Sequence, residues 1–155
     1  MPDPIILPLR SENANLSNAG GKGANLAYLA QAGFPVPDGF LVTTEAYRAF
    51  ITANALQDKI LHAVAASPAD DPQALHDLSD RVRGWFTKGS IPPQVISHLK
   101  QAYADLEGIP VAVRSSAIAE DLPDASFAGQ QDTFLNVIGE DQFLTALVSC
   151  WSSLW

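Results

Sequence analysis

Residues 111–137 read VAVRSSAIAEDLPDASFAGQQDTFLNV, and this stretch carries more chemistry than the rest of the chain. Three apolar residues, Val111, Ala112 and Val113, form a short buried strand that delivers Arg114, Ser115 and Ser116 into a long loop of small and acidic residues. A second strand over residues 133–137 brings the chain back, so the segment reads as a hairpin. An arginine at a strand end offers a planar fork of donors to phosphate oxygens, and glycine and alanine in the following loop let backbone N–H groups approach an anion. The same pattern also suits an arginine at the surface in an ordinary ion pair.

Working outward, 155 residues with 47% hydrophobic and 17% charged content give a globular chain long enough for one domain with a core. The formal charge of −8 makes a field that repels polyanions and disfavours non-specific binding to nucleic acid or an anionic membrane surface. A nucleotide site must then rest on local positive charge, and only nine lysines and arginines are present to supply it. The single cysteine, Cys150, excludes an internal disulfide, and His62, His76 and His98 have no zinc-like spacing. No targeting segment and no apolar run of the ~20 residues needed to span a bilayer is visible, so a cytoplasmic location is expected.

A second motif lies at residues 18–26, NAGGKGANL, where Lys22 stands among Gly20, Gly21 and Gly23 at an expected helix start. Free N–H groups and the positive end of a helix dipole favour anions there, and an ammonium on a mobile stem reaches phosphates. The P-loop pattern fails, because Leu16 stands where its first glycine belongs and Gly23 where its Ser or Thr belongs. The dinucleotide fingerprint fails at Leu26. Glycines beside a lysine serve equally well as turn chemistry.

Between and around the motifs, residues 5–7 suggest a strand, and a helix is expected from about Gly21 to Gly33 with Leu26, Leu29 and Ala30 on one face. PVPDGF at residues 35–40 is a rigid turn, followed by a strand over 40–42 and a helix over 45–53 capped by Thr43 or Thr44. Asp71 and Pro72 open a helix bearing Leu75, Leu78, Val82, Trp85 and Phe86. A further helix, with Val95, Ile96, Leu99, Tyr103 and Leu106 on its apolar face, ends at Gly108, and the two suggest an antiparallel helical pair. The last helix, residues 141–155, places Phe143, Leu144, Leu147, Val148, Trp151 and Leu154 at helical spacing and ends on Trp155. Such an end leaves apolar surface wet, so further protein or a docked partner is expected to cover it, and self-association through this helix is one form of that cover.

Glu120, Asp121, Asp124 and Asp132 lie along the Arg114 loop, where they can touch a metal or stand as solvated charges. None of the three histidines lies beside a Ser or Cys motif of acyl transfer, and no catalytic residue is assigned.

Residues 18–50, NAGGKGANLAYLAQAGFPVPDGFLVTTEAYRAF, and 111–139, VAVRSSAIAEDLPDASFAGQQDTFLNVIG, together resemble the N-terminal nucleotide-binding region of the phosphoenolpyruvate synthase and pyruvate phosphate dikinase family. Rifampicin phosphotransferase belongs to the same group, and TTEAYRAF and GQQDTFLNVIG look slightly closer to that type. The resemblance covers essentially the full chain, including the closing CWSSLW. It implies an α+β fold, the first part of an ATP-grasp domain with a short-stranded sheet, in one domain spanning residues 1–155. It also implies that Lys22 and Arg114 bind ATP phosphates while Gly129, Gln130 and Thr133 cover the nucleotide. The family's reaction moves the β-phosphoryl group of ATP onto a histidine of a separate domain and then onto an acceptor. The phosphohistidine and acceptor domains are absent from this chain, the acidic ligands for Mg2+ are expected beyond Trp155, and chemistry is not expected from this chain alone. One departure is Ile118, where the family pattern has threonine. The competing expectation is a non-catalytic binding module that docks a partner through its apolar C-terminal helix.

Overall fold

The computed structural model describes residues 4–117 and 132–155, and Ile118, Glu120, Asp121, Asp124, Gly129 and Gln130 lie outside them. The described residues form an α+β arrangement of six helices and two small antiparallel sheets. In the first sheet β1 (Ile6–Pro8) pairs with β2 (Phe40–Val42), setting Ile6 opposite Val42 and Pro8 opposite Phe40. In the second, β3 (Val111–Arg114) pairs with β4 (Thr133–Val137). The register shifts between Val111 and Val113, where Ala112 faces both Leu135 and Asn136, and Asn136 in this bulge takes a φ of 55°.

Helix α1 (Leu16–Gln31) starts earlier than the glycine pattern suggests. Asn15 caps it, its side chain accepting from the N–H groups of Ser17 at 2.9 Å and Asn18 at 3.2 Å, while Asn18 Oδ1 accepts from Asn15 N–H at 2.9 Å. The helix then breaks at Gly20, whose φ of 68° and ψ of 176° lie outside helical space, and it resumes at Gly21. Its buried face is small, with Gly23, Ala27 and Ala30 packed inward, whereas Leu29 is exposed. The expected apolar face is therefore turned by one position.

Helix α2 (Thr44–Ala53) follows Thr43, which does not cap it through its side chain. The Thr43 hydroxyl instead donates to the Pro4 carbonyl at 2.6 Å and ties the chain start to the first sheet. Helix α3 (Leu56–Ala65) has no counterpart among the sequence expectations; it opens at Ala55 in the left-handed conformation without a side-chain cap. Helix α4 (Pro72–Lys88) carries the expected Asp71 cap and Pro72 start. Helix α5 (Pro93–Ala104) and helix α6 (Glu140–Ser152) complete the set.

The core is built from Phe50, Ile60, Val82, Phe86, Val95 and Leu99 with the inward side of α6. Phe50 stands 5.5 Å from Phe86 and 5.2 Å from Trp151, ring centre to ring centre. Both members of the expected helical pair, α4 and α5, pack against α6, and their apolar stripes, Leu78–Val82–Phe86 and Val95–Leu99–Tyr103, join it in one core. Tyr103 stacks on Phe143 at 5.2 Å, and its hydroxyl accepts from Gly139 N–H at 2.7 Å, fixing the start of α6. The expectation that α6 offers its apolar face to a partner is corrected by the same packing. Phe143, Leu147, Cys150 and Trp151 are buried in this chain's own core, leaving only Leu154 and Trp155 substantially exposed at that end.

Candidate functional site

Arg114 and Thr133, assigned to one site from the sequence, are register partners at the open end of the second sheet, and both side chains are exposed. Val113 beneath them is buried, so the arginine projects from a strand anchored in the core. Alternation along β3 sets the buried Val113 and the exposed Arg114 on opposite faces.

The glycine-rich motif reaches the same end of the molecule. Gly21 N–H donates to the Ala117 carbonyl at 3.2 Å. Ser116 Oγ accepts from Gly23 N–H at 2.9 Å and donates to the Ala19 carbonyl at 2.7 Å. Gly20 is pressed so closely on Ser116 that a Cβ built there would lie 2.1 Å from the Ser116 carbonyl oxygen. Two stretches some ninety residues apart in sequence therefore form one cradle, with Lys22 between two glycines whose amides are both held. This changes the reading of the glycines. Their amides at Gly21 and Gly23 are engaged by the loop after Arg114 and not presented to an anion, which leaves the side chains of Lys22 and Arg114 as the cationic groups of the two motifs.

Cys150 reports on the surroundings of Lys22. Its thiol lies under the sheet, 3.6 Å from the Val113 carbonyl oxygen and 3.7 Å from that of Asp132. Burial, reinforced by the negative charge of Asp132, pushes its pKa up to about 11, and the Lys22 ammonium pulls in the opposite direction. Because the folded thiol titrates above its ordinary value of 9.0, the neutral form favours the fold. This contribution to stability is complete below pH ~9 and is lost as pH rises through about 11. Urea denaturation across that window should show stability falling, and Cys150→Ala should remove the part of the slope due to the thiol.

His62, His76 and His98 are exposed on helices α3, α4 and α5. His76 faces Asp80 at 3.6 Å, and His98 Nδ1 lies 2.7 Å from the Gln94 carbonyl oxygen, so neither is directed toward the cradle. Among the described residues no cluster of three or more His, Cys, Asp or Glu side chains could hold a metal ion, and no helix is long and apolar enough to cross a membrane. Sequence reasoning missed Ser116 as the joint between the motifs. The signal available was its place as the second hydroxyl after Arg114, but its partners could not be read from spacing.

The strand-end arginine and the lysine on the glycine-broken helix thus stand on two segments joined by hydrogen bonds. The chain matches the family described as pyruvate phosphate dikinase, AMP/ATP-binding domain, over residues 16–155, and it belongs to that family. It is 44% identical over 144 residues to a probable phosphoenolpyruvate synthase of Staphylothermus marinus, covering 88% of this chain and 17% of that protein. It is 37% identical over 174 residues to the phosphoenolpyruvate synthase of Pyrococcus furiosus, covering 88% of this chain and 21% of that protein. With the phosphoenolpyruvate synthase of Pseudomonas aeruginosa the identity is 43% over 149 residues, covering 91% and 19%. The chain spans about a fifth of the length of these curated relatives.

Proposed function

We propose that this chain is the first part of an ATP-grasp nucleotide site in which Lys22 and Arg114 bind the polyphosphate of ATP and Thr133 lies beside it. The carrying observation is the hydrogen-bonded cradle that joins the two motifs and sets both cations on anchored backbone. The donor set suits the ligand. A guanidinium supplies paired donors to two phosphate oxygens, an ammonium supplies a compact charge, and the acidic remainder of the chain makes these cations the local attraction for an anion. Gly129 and Gln130, which lie outside the described residues, join the proposal as nucleotide-binding residues of the same turn.

In the longer proteins of this family the site would serve an ATP-dependent phosphotransferase. The β-phosphoryl group of ATP passes to a histidine of another domain, AMP departs, the γ-phosphate is released to water, and the phosphohistidine then donates to an acceptor such as pyruvate or an antibiotic hydroxyl. The histidine, the acceptor site and the carboxylates for Mg2+ belong to segments outside this chain, which here contributes phosphate binding.

Calorimetric titration with ATP and magnesium tests the assignment. Lys22→Ala and Arg114→Ala should each weaken binding about 10- to 100-fold, the range expected for a lost charge-assisted hydrogen bond, with thermal melting checking that each variant is folded. Binding that survives both substitutions intact would place the nucleotide elsewhere.

A further inference from the structure

We propose that Ser116 is a positioning residue of the phosphate site, its hydroxyl holding the Lys22 segment against the end of the Arg114 strand. The inference rests on the reading of Lys22 and Arg114 as phosphate ligands and goes beyond it by assigning what fixes their relative placement. The Ser116 hydroxyl brackets the break in α1. It donates to Ala19, immediately before Gly20, and accepts from Gly23, just past Lys22. Helix propagation alone cannot set the direction of the resumed helix, because Gly20 leaves helical space at that point. The fixed relation between the two cations therefore depends on contacts across the break, and Ser116 makes two of them, alongside the bond from Gly21 to Ala117. Ser116 itself follows Ser115, which is buried, and Arg114, which is held in register opposite Thr133. Ser116 thus lies two residues along the chain from Arg114, and its hydroxyl is tied by the hydrogen bond from Gly23 N–H to the residue next to Lys22.

With its hydroxyl engaged by Ala19 and Gly23, removal of the residue should act through Lys22. In the 155-residue chain, Ser116→Ala should weaken ATP binding about tenfold, since a small misplacement of one ligand group is enough for such a loss. The same substitution made in a Lys22→Ala background should cost almost nothing further, because the group it positions is already gone. Thermal melting of each variant accompanies the titrations, and Ser116→Cys, which keeps a weaker donor and acceptor of similar size, is read in the same cycle if Ser116→Ala does not fold. ATP with magnesium is the probe throughout. A loss in the single variant that vanishes in the Lys22→Ala background supports the assignment. Unchanged affinity in the single variant, or losses that multiply independently, overturns it while leaving the phosphate-site reading standing. Absence of ATP binding in the unsubstituted chain overturns that reading itself, and the role of Ser116 with it.

Discussion

Gly20→Ala should destabilise the protein by about 3–5 kcal/mol, a loss confined to the few substitutions that combine backbone strain with a steric clash. Gly20 holds φ 68° and ψ 176°, a region that is essentially reserved for glycine. The added methyl carbon would also stand 2.1 Å from the Ser116 carbonyl oxygen and 2.5 Å from its Oγ. Those are not the far ends of a flexible side chain. The carbonyl is backbone, and the hydroxyl is held by Gly23 and Ala19. Relief requires the two motifs to part, which would break the cradle along with the fold around it. Gly33 provides the contrast: its φ is 84°, but a Cβ there meets nothing within 4 Å. Gly33→Ala should cost only about 1–2 kcal/mol, the conformational penalty alone. Urea denaturation of both variants measures the difference. Equal losses would show that close approach at Gly20 contributes nothing, and the joined geometry of the two motifs would have to be abandoned.

The features that govern this prediction divide sharply by how local they are. The Arg114 hairpin was legible, since two apolar strands flanking a polar loop specify antiparallel return, and the structure pairs them with Arg114 opposite Thr133. Asp71–Pro72 and Gly33 announced helix ends through their own backbone preferences, and both stand where expected. Lys22 and Arg114 could likewise be picked out as the cations of two separate motifs. What joins them could not. The hydroxyl of Ser116 meets amides and carbonyls more than ninety residues away, and no spacing rule reaches that far. Helix α3 escaped notice because it is short and begins at Ala55 without a side-chain cap. Helical periodicity gave the apolar faces of α4 and α5 but not their neighbour, because a stripe shows which side is buried and not what covers it. The terminal helix illustrates the same limit. Its apolar content suggested a wet surface, yet most of that surface is core.

Trp151→Ala should cost about 3–5 kcal/mol, the range for deleting a large aromatic side chain from a core. The indole is 8% exposed and lies 5.2 Å from the Phe50 ring and 6.0 Å from that of Tyr47, so truncation opens a void between α2, α4 and α6. At the heat capacity and entropy of a chain this size, the melting temperature should fall by about 10 °C. Trp155→Ala should behave differently. That side chain is 39% exposed; the substitution removes its long Nε1–H bond to the Tyr47 hydroxyl at 3.4 Å but leaves in place the shorter one from Ser79 Oγ to the Trp155 backbone carbonyl at 2.6 Å. A loss of no more than about 1 kcal/mol is expected there. The pair also decides between two views of α6. A helix reserved for docking would tolerate Trp151→Ala in the isolated chain and lose association instead, as read by sedimentation. A helix that belongs to the core must lose stability first, and the second sheet rests on it through the Cys150 thiol and the Val113 and Asp132 carbonyls. Damage at Trp151 should therefore reach the phosphate site, weakening ATP binding in a variant whose substitution lies on a different helix from Lys22.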